Sequence, residues 1–134
     1  MDIKFSAEDV AFRNEVREFF AAEYNGDAST RLGANPAADY KSDIVAWQKK
    51  LHAKGWIAPG WPKEYGGTDW TSTQKFIYET ERGLAGIPDV VPFGLKMVAP
   101  VIYTFGTEEQ KARFLPRILS SDDWWCQGYS EPGA

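Results

Sequence analysis

The 134-residue chain is 43% apolar, 15% aromatic and 25% charged, a globular balance and not that of a disordered chain, and it is long enough for one compact domain. Its net charge of −4 and isoelectric point near 5.0 argue against a nucleic-acid partner, and no apolar run approaches the ~20 residues of a membrane span. A single cysteine, Cys126, and a single histidine, His52, exclude an internal disulfide and leave no protein-only zinc site, and the acidic, polar start MDIKFSAEDV is not a secretory signal, so a reducing, cytoplasmic setting is expected.

A first helix is expected over residues 6–23. Ser6 can cap it, and Glu8 and Asp9 fall in the first turn, where the helix dipole favours anions. Phe12, Val16, Phe19 and Phe20 recur at a spacing that builds one apolar stripe. The stretch YNGDASTRLGANPAAD, residues 24–39, is polar and rich in Gly, Asn and Pro, and reads as a loop. A second helix over 41–54 puts Ile44, Trp47 and Leu51 on one face, with Gly55 as a left-handed cap and His52 as a surface or hydrogen-bonded histidine. GWIAPGWPKEYGGTDW, residues 55–70, holds too much Gly and Pro for regular structure, yet its three tryptophans and a tyrosine predict a packed loop.

A third helix is expected over 72–84, with Phe76, Ile77 and Thr80 inward, and AGIPDVVP (85–92) breaks it. A fourth, over 93–105, carries Leu95, Met97, Val98, Val101, Ile102 and Phe105 and so predicts burial on most sides. Pro100 within it implies a kink or a late start. After Gly106, TEEQ (107–110) is a capping box for a fifth helix, whose Phe114, Leu115, Ile118 and Leu119 form a buried face that SSDD (120–123) ends.

The tail WWCQGYSEPGA, residues 124–134, changes character: an apolar run predicts a strand at 124–130, then a tight turn. Strands do not stand alone in stable domains. The expected fold is therefore all-α: a bundle of about five helices over residues 1–121, with 122–134 opening a β domain whose remainder lies beyond this sequence. On that reading Trp124 and Trp125 are core residues and Cys126 is an inert buried thiol.

Three stretches together resemble the acyl-CoA dehydrogenase family of flavoproteins. GWIAPGWPKEYGGTDW is similar to that family's Gly-Trp and Pro-x-x-x-Gly-Gly loop between long helices. FGTEEQKARFLPRILSSDDWWCQGYSEPGA is similar to its Gly-Thr-Glu-Glu-Gln-Lys helix, the Leu-Pro that follows, and the opening of its flavin-binding segment, Thr- or Ser-Glu-Pro before Gly-x-Gly-Ser-Asp. The run of amphipathic helices from residue 6 is the third match. The resemblance covers the whole chain, which stops just short of the expected Gly-Ser-Asp. It implies an N-terminal helical domain plus the first strand of a central β domain.

The resemblance also implies the chemistry. Two hydrogens leave the α–β bond of an acyl-CoA thioester; a glutamate in the C-terminal domain takes the proton and FAD takes the hydride. No catalytic residue is then expected in this chain. Ser130 matches the flavin-contacting Thr or Ser, with Gln127 and Tyr129 at the flanking positions. The other reading of Ser130 is a cap on the turn at Glu131-Pro132, and Glu131 itself reads as a turn-fixing residue. In VVPFGLKM (90–97), Phe93 and Met97 match the acyl-chain lining and Gly94 would open room; their other reading is plain core packing. Electron-transfer flavoprotein and a homo- or hetero-tetramer are the implied partners. Acyl-CoA oxidases and flavin monooxygenase-like relatives share the scaffold, and so do subunits of hetero-oligomers that supply no full active site. The aromatic-rich tail resembles that of bacterial members more than that of the mitochondrial fatty-acid enzymes, which makes bulky or unusual acyl groups worth testing.

Overall fold

The computed structural model describes residues 4–24 and 40–133; the loop expected over 24–39 lies outside them apart from Tyr24. Five α-helices follow in order: α1 Ala7–Glu23, α2 Tyr40–Lys54, α3 Ser72–Leu84, α4 Ala99–Phe105 and α5 Glu108–Leu119. A short 3₁₀ turn occupies Lys63–Tyr65, and a π-helical turn, Phe93–Val98, runs directly into α4. Among the described residues no helix is long and apolar enough to cross a membrane.

Three of the helices begin with the same device. Ser6, Thr71 and Thr107 each accept the backbone N–H three residues on through the side-chain oxygen, and Asp9, Gln74 and Gln110 reach back to the cap's own N–H. Two donors that the helix cannot satisfy internally are thereby paired at each start. Gly55 has φ +79, as its cap role requires.

The core forms where α1 crosses α3. Phe12, Val16 and Phe20 meet Ile77 and Tyr78, and the rings of Phe20 and Tyr78 lie 5.4 Å apart. Burial pushes the Tyr78 phenol well above the usual tyrosine range. From the same face Glu81, 6% exposed, takes a two-pronged ion pair from Arg17 at 2.7 and 2.9 Å. This corrects the expected inward face of α3: Ile77 is buried, but Phe76 is 54% exposed and Thr80 is exposed. Tyr78 and Glu81 hold the inward places, because a buried carboxylate with a bidentate partner can replace a hydrophobe.

The loop 55–70 is packed, as its aromatic content predicts. Trp56, Ile57, Ala58 and Trp61 are buried, and Trp56 meets Phe12, Phe19, Trp70 and Tyr78. The Pro-x-x-x-Gly-Gly run has a physical reason. Gly66 closes the 3₁₀ turn at φ +99, and a Cβ on Gly67 would sit 1.7 Å from the Trp61 carbonyl oxygen.

Two further expectations change. The fourth helix is not buried on most sides: Leu95 and Ala99 are, but Met97, Val101 and Phe105 form an exposed row at four-residue spacing. The strand expected at 124–130 is not formed. The chain does leave the helix after α5, but among the described residues these seven make no backbone–backbone hydrogen bond. A strand exists only through its neighbour's ladder, and among the described residues there is no neighbouring strand.

Candidate functional site

Some of the residues picked out by sequence meet where the π-helical turn lies against the exit from α5. Pro100 explains the turn. In π geometry each N–H reaches back five residues, and the Ala99 N–H donates to the Gly94 carbonyl. The next donor would serve Leu95 from position 100, and proline has no N–H. The Leu95 carbonyl is taken instead by Trp61 Nε1, at 2.8 Å in a buried setting. Lys96 and Asp89 pair on the outer side of the turn, and Asp89 accepts from the Val90 N–H at 2.8 Å.

The exit from α5 is equally defined. Ser121 adopts φ +60, and its hydroxyl donates to Gln48 Oε1 on α2 at 2.8 Å. The chain then passes over the π turn. Trp125 packs edge-on to Phe114 with centroids 5.7 Å apart, and its Cδ1 would lie 3.2 Å from a Cβ on Gly94, with Ile118 Cγ2 at 3.1 Å. Gln127 Nε2 donates to Met97 Sδ at 3.2 Å.

The structure therefore brings together two groups that sequence reading kept apart, Gln127 from the tail and Met97 from the π turn. Phe93 is half-buried, and Met97 is 44% exposed. The room that Gly94 leaves is filled by Ile118 and Trp125. Tyr129 is 85% exposed and Ser130 is exposed; among the described residues no hydrogen bond from the Ser130 hydroxyl fixes the turn at Glu131-Pro132. Cys126 is exposed rather than buried, since among the described residues no sheet covers it. Trp124 is also exposed, its ring 5.0 Å from Lys41 Nζ, while Trp125 packs against the core. His52 is on the surface. Sequence reading missed Trp61 as the partner of Leu95; Pro100 was the available signal, because it orphans a carbonyl one turn earlier.

Helical architecture, capped starts and the Gly-Gly turn coincide with a known pattern: residues 6–122 match the acyl-CoA dehydrogenase, N-terminal domain, family. The chain belongs to the acyl-CoA dehydrogenase family. Acyl-CoA dehydrogenase IpdE1 of Mycobacterium tuberculosis is 37% identical to it over 92% of this chain and 33% of its own length. Acyl-CoA dehydrogenase FadE26 of the same organism is 37% identical over 100% of this chain and 34% of its own. Among solved structures, the ChsE4–ChsE5 complex from Mycobacterium tuberculosis superposes with a TM-score of 0.72 at 36% identity, over 100% of this chain and 33% of that one. A structure described as Tcur3481-Tcur3483 steroid ACAD does so with a TM-score of 0.73 at 36% identity, over 100% of this chain and 34% of that one. The chain spans about a third of the length of these acyl-CoA dehydrogenases.

Proposed function

We propose that this chain is the N-terminal part of a flavin-dependent acyl-CoA dehydrogenase that introduces an α,β double bond into an acyl-CoA thioester. Residues 1–121 form its helical domain and 122–134 lead into the flavin-binding β domain. The match of residues 6–122 to the family's N-terminal domain carries this reading.

Residues 127–130 suit a flavin ring in chemical kind. Their backbone N–H and C=O groups are unpaired with other backbone among the described residues, and Ser130 adds a hydroxyl that both donates and accepts. The pyrimidine side of the ring alternates acceptors and donors, which a row of extended backbone can meet. When bound, FAD supplies the hydride acceptor. The chain's own part is to orient: Ser130 and the neighbouring backbone hold the ring edge, and Gln127 and Tyr129 flank it. Phe93 and Met97 border the acyl chain. Gly94 acts by letting Trp125 close onto the π turn.

A solved relative described as a steroid ACAD supports a bulky, polycyclic acyl group, and two-component relatives support a hetero-oligomer in which a partner completes the site. A bacterial, cytoplasmic setting and electron-transfer flavoprotein as the acceptor belong to the same proposal; relatives from Mycobacterium tuberculosis support the bacterial part.

The test is to purify the full-length protein, alone and with a second acyl-CoA dehydrogenase subunit as the proposed partner, and measure flavin per chain and acyl-CoA-driven dye reduction. Flavin bleaching by a steroid-derived acyl-CoA with dye reduction supports the proposal. Peroxide formation in place of dye reduction would make it an oxidase, and a colourless, inactive protein in both preparations would remove the catalytic reading. Expressed by itself, the 134-residue chain should be colourless, because ring contacts from 127–130 must overcome an association cost of at least ~4 kcal/mol without phosphate or adenine contacts.

A further inference from the structure

Two residues that line the same small cleft each carry a buried donor without a partner among the described residues. Gln48 on α2 is 3% exposed, and its Nε2 has no hydrogen-bond partner among the described residues. Trp125 Nε1, just past α5, is buried and unpartnered in the same way. Both residues line a cleft of about 20 Å³, together with Gly94, Leu95, Ser121 and Asp123. The Ser121 hydroxyl occupies Gln48 Oε1 at 2.8 Å, which fixes the amide so that Nε2 is the end left over.

From this arrangement we infer that the cleft is a binding site for one water molecule, which accepts from Gln48 Nε2 and Trp125 Nε1 and so ties α2 to the segment after α5. Size allows this occupant. A water needs roughly 10–15 Å³ and two to four polar partners, and a cleft of about 20 Å³ gives it room. Chemistry agrees. The occupant must accept two hydrogen bonds, and the cationic residue that would hold an anion is absent from the lining among the described residues. Water accepts two and keeps two protons for oxygens of the wall. The alternative, two buried N–H groups left bare, is what native interiors avoid.

The bridge has a consequence for the tail. Trp125 is held on one side by Phe114 and by the bare α-carbon of Gly94. A water from Gln48 fixes the remaining edge of the indole, and with it the direction in which Gln127 to Ser130 leave. That consequence rests on the flavin reading above; the water site does not.

Crystal structures of the full-length protein, wild type and Gln48→Met, at a resolution that shows ordered solvent, test it. The wild type should show one solvent peak at hydrogen-bond distance from both nitrogens, and Gln48→Met, which keeps the volume and removes the donor, should lose it. Trp125→Phe is the second variant, should Gln48→Met fail to fold, and should lose the peak likewise. A wild-type map without the peak, a protein oxygen bonded to both nitrogens, or a peak that persists in either variant would overturn the inference. Flavin affinity of the same variants is a separate readout: a lost peak with unchanged flavin binding leaves the water site standing and counts against the flavin role of the tail.

Discussion

Arg117 holds Asp123 with side chain and backbone together. Its Nε and Nη2 donate to the two carboxylate oxygens at 2.9 and 2.7 Å, and its carbonyl oxygen accepts the Asp123 N–H at 3.3 Å. This clasp turns the chain off the end of α5 and delivers Trp125 to the π turn. The bonds from Arg117, with its charge, hold the Asp123 carboxyl below the usual aspartate range. A lowered folded-state value means stability that is present above the unfolded aspartate value, about 3.9, and is lost as pH falls through the folded one. Asp123→Asn should therefore melt lower than wild type near neutrality, and the gap should close on acidification. Melting curves from neutral to about pH 2 check this; a gap that is constant with pH would mean the carboxylate charge contributes nothing.

The bond from Trp61 to Leu95 gives a second expectation. It supplies the proton that Pro100 lacks, so Trp61→Phe should leave a buried carbonyl unpaired at a cost of about 1–3 kcal/mol. Pro100→Ala restores an N–H in register for Leu95. The Trp61→Phe cost should then be smaller in the Pro100→Ala background, as read by a double-mutant cycle in denaturant melts. Equal costs in both backgrounds would show that the indole does not stand in for the missing amide.

Much of the fold was legible because its signals are local. The capping box at Thr107 to Gln110, the cap at Ser6 and the glycine after α2 each depend on residues within one turn, and each stands as read. Phase was less secure. On α3, Phe76 and Thr80 lie one residue off the inward row of Ile77 and Glu81, and hydropathy favours Phe76 over a carboxylate whose arginine is 64 residues away. On α4, hydropathy said which side chains avoid water but not what would cover them, so Met97, Val101 and Phe105 stand exposed. The candidate site was legible as two separate lists. Their meeting at Gln127 and Met97 spans 30 residues and depends on the turn at Ser121, whose positive φ no residue type announced.

Gly94 tests which neighbour is soft. A Cβ there would press Ile118 and Trp125 at 3.1 and 3.2 Å. Ile118 is core, whereas Trp125 sits on a segment with no ladder, so Trp125 should yield. Gly94→Ala should then change stability by less than about 1 kcal/mol, since alanine regains roughly that much in helical propensity. The Trp125 indole resonance should shift, identified by its loss in Trp125→Phe. An unmoved indole with melting lowered by about 1–3 kcal/mol would mean that the core was overpacked instead.

Ser130 separates a ligand contact from a turn cap. Its hydroxyl is exposed, and among the described residues it is unbonded, so the helical domain should not depend on it. In the full-length protein Ser130→Ala should leave apoprotein melting within about 0.5 kcal/mol of wild type, the range of ordinary surface changes. Under the proposed flavin role, the same change removes one hydrogen bond to the ring. That is worth about 1 kcal/mol, and up to about 2 where a ring atom is left unpaired in a buried setting, so flavin should dissociate roughly five to thirty times more readily. Two measurements on one variant decide the matter, flavin titration and melting of the apoprotein. If Ser130 instead stabilises the turn before Pro132, the pattern inverts: the apoprotein melts lower, and flavin affinity falls no further than that loss accounts for.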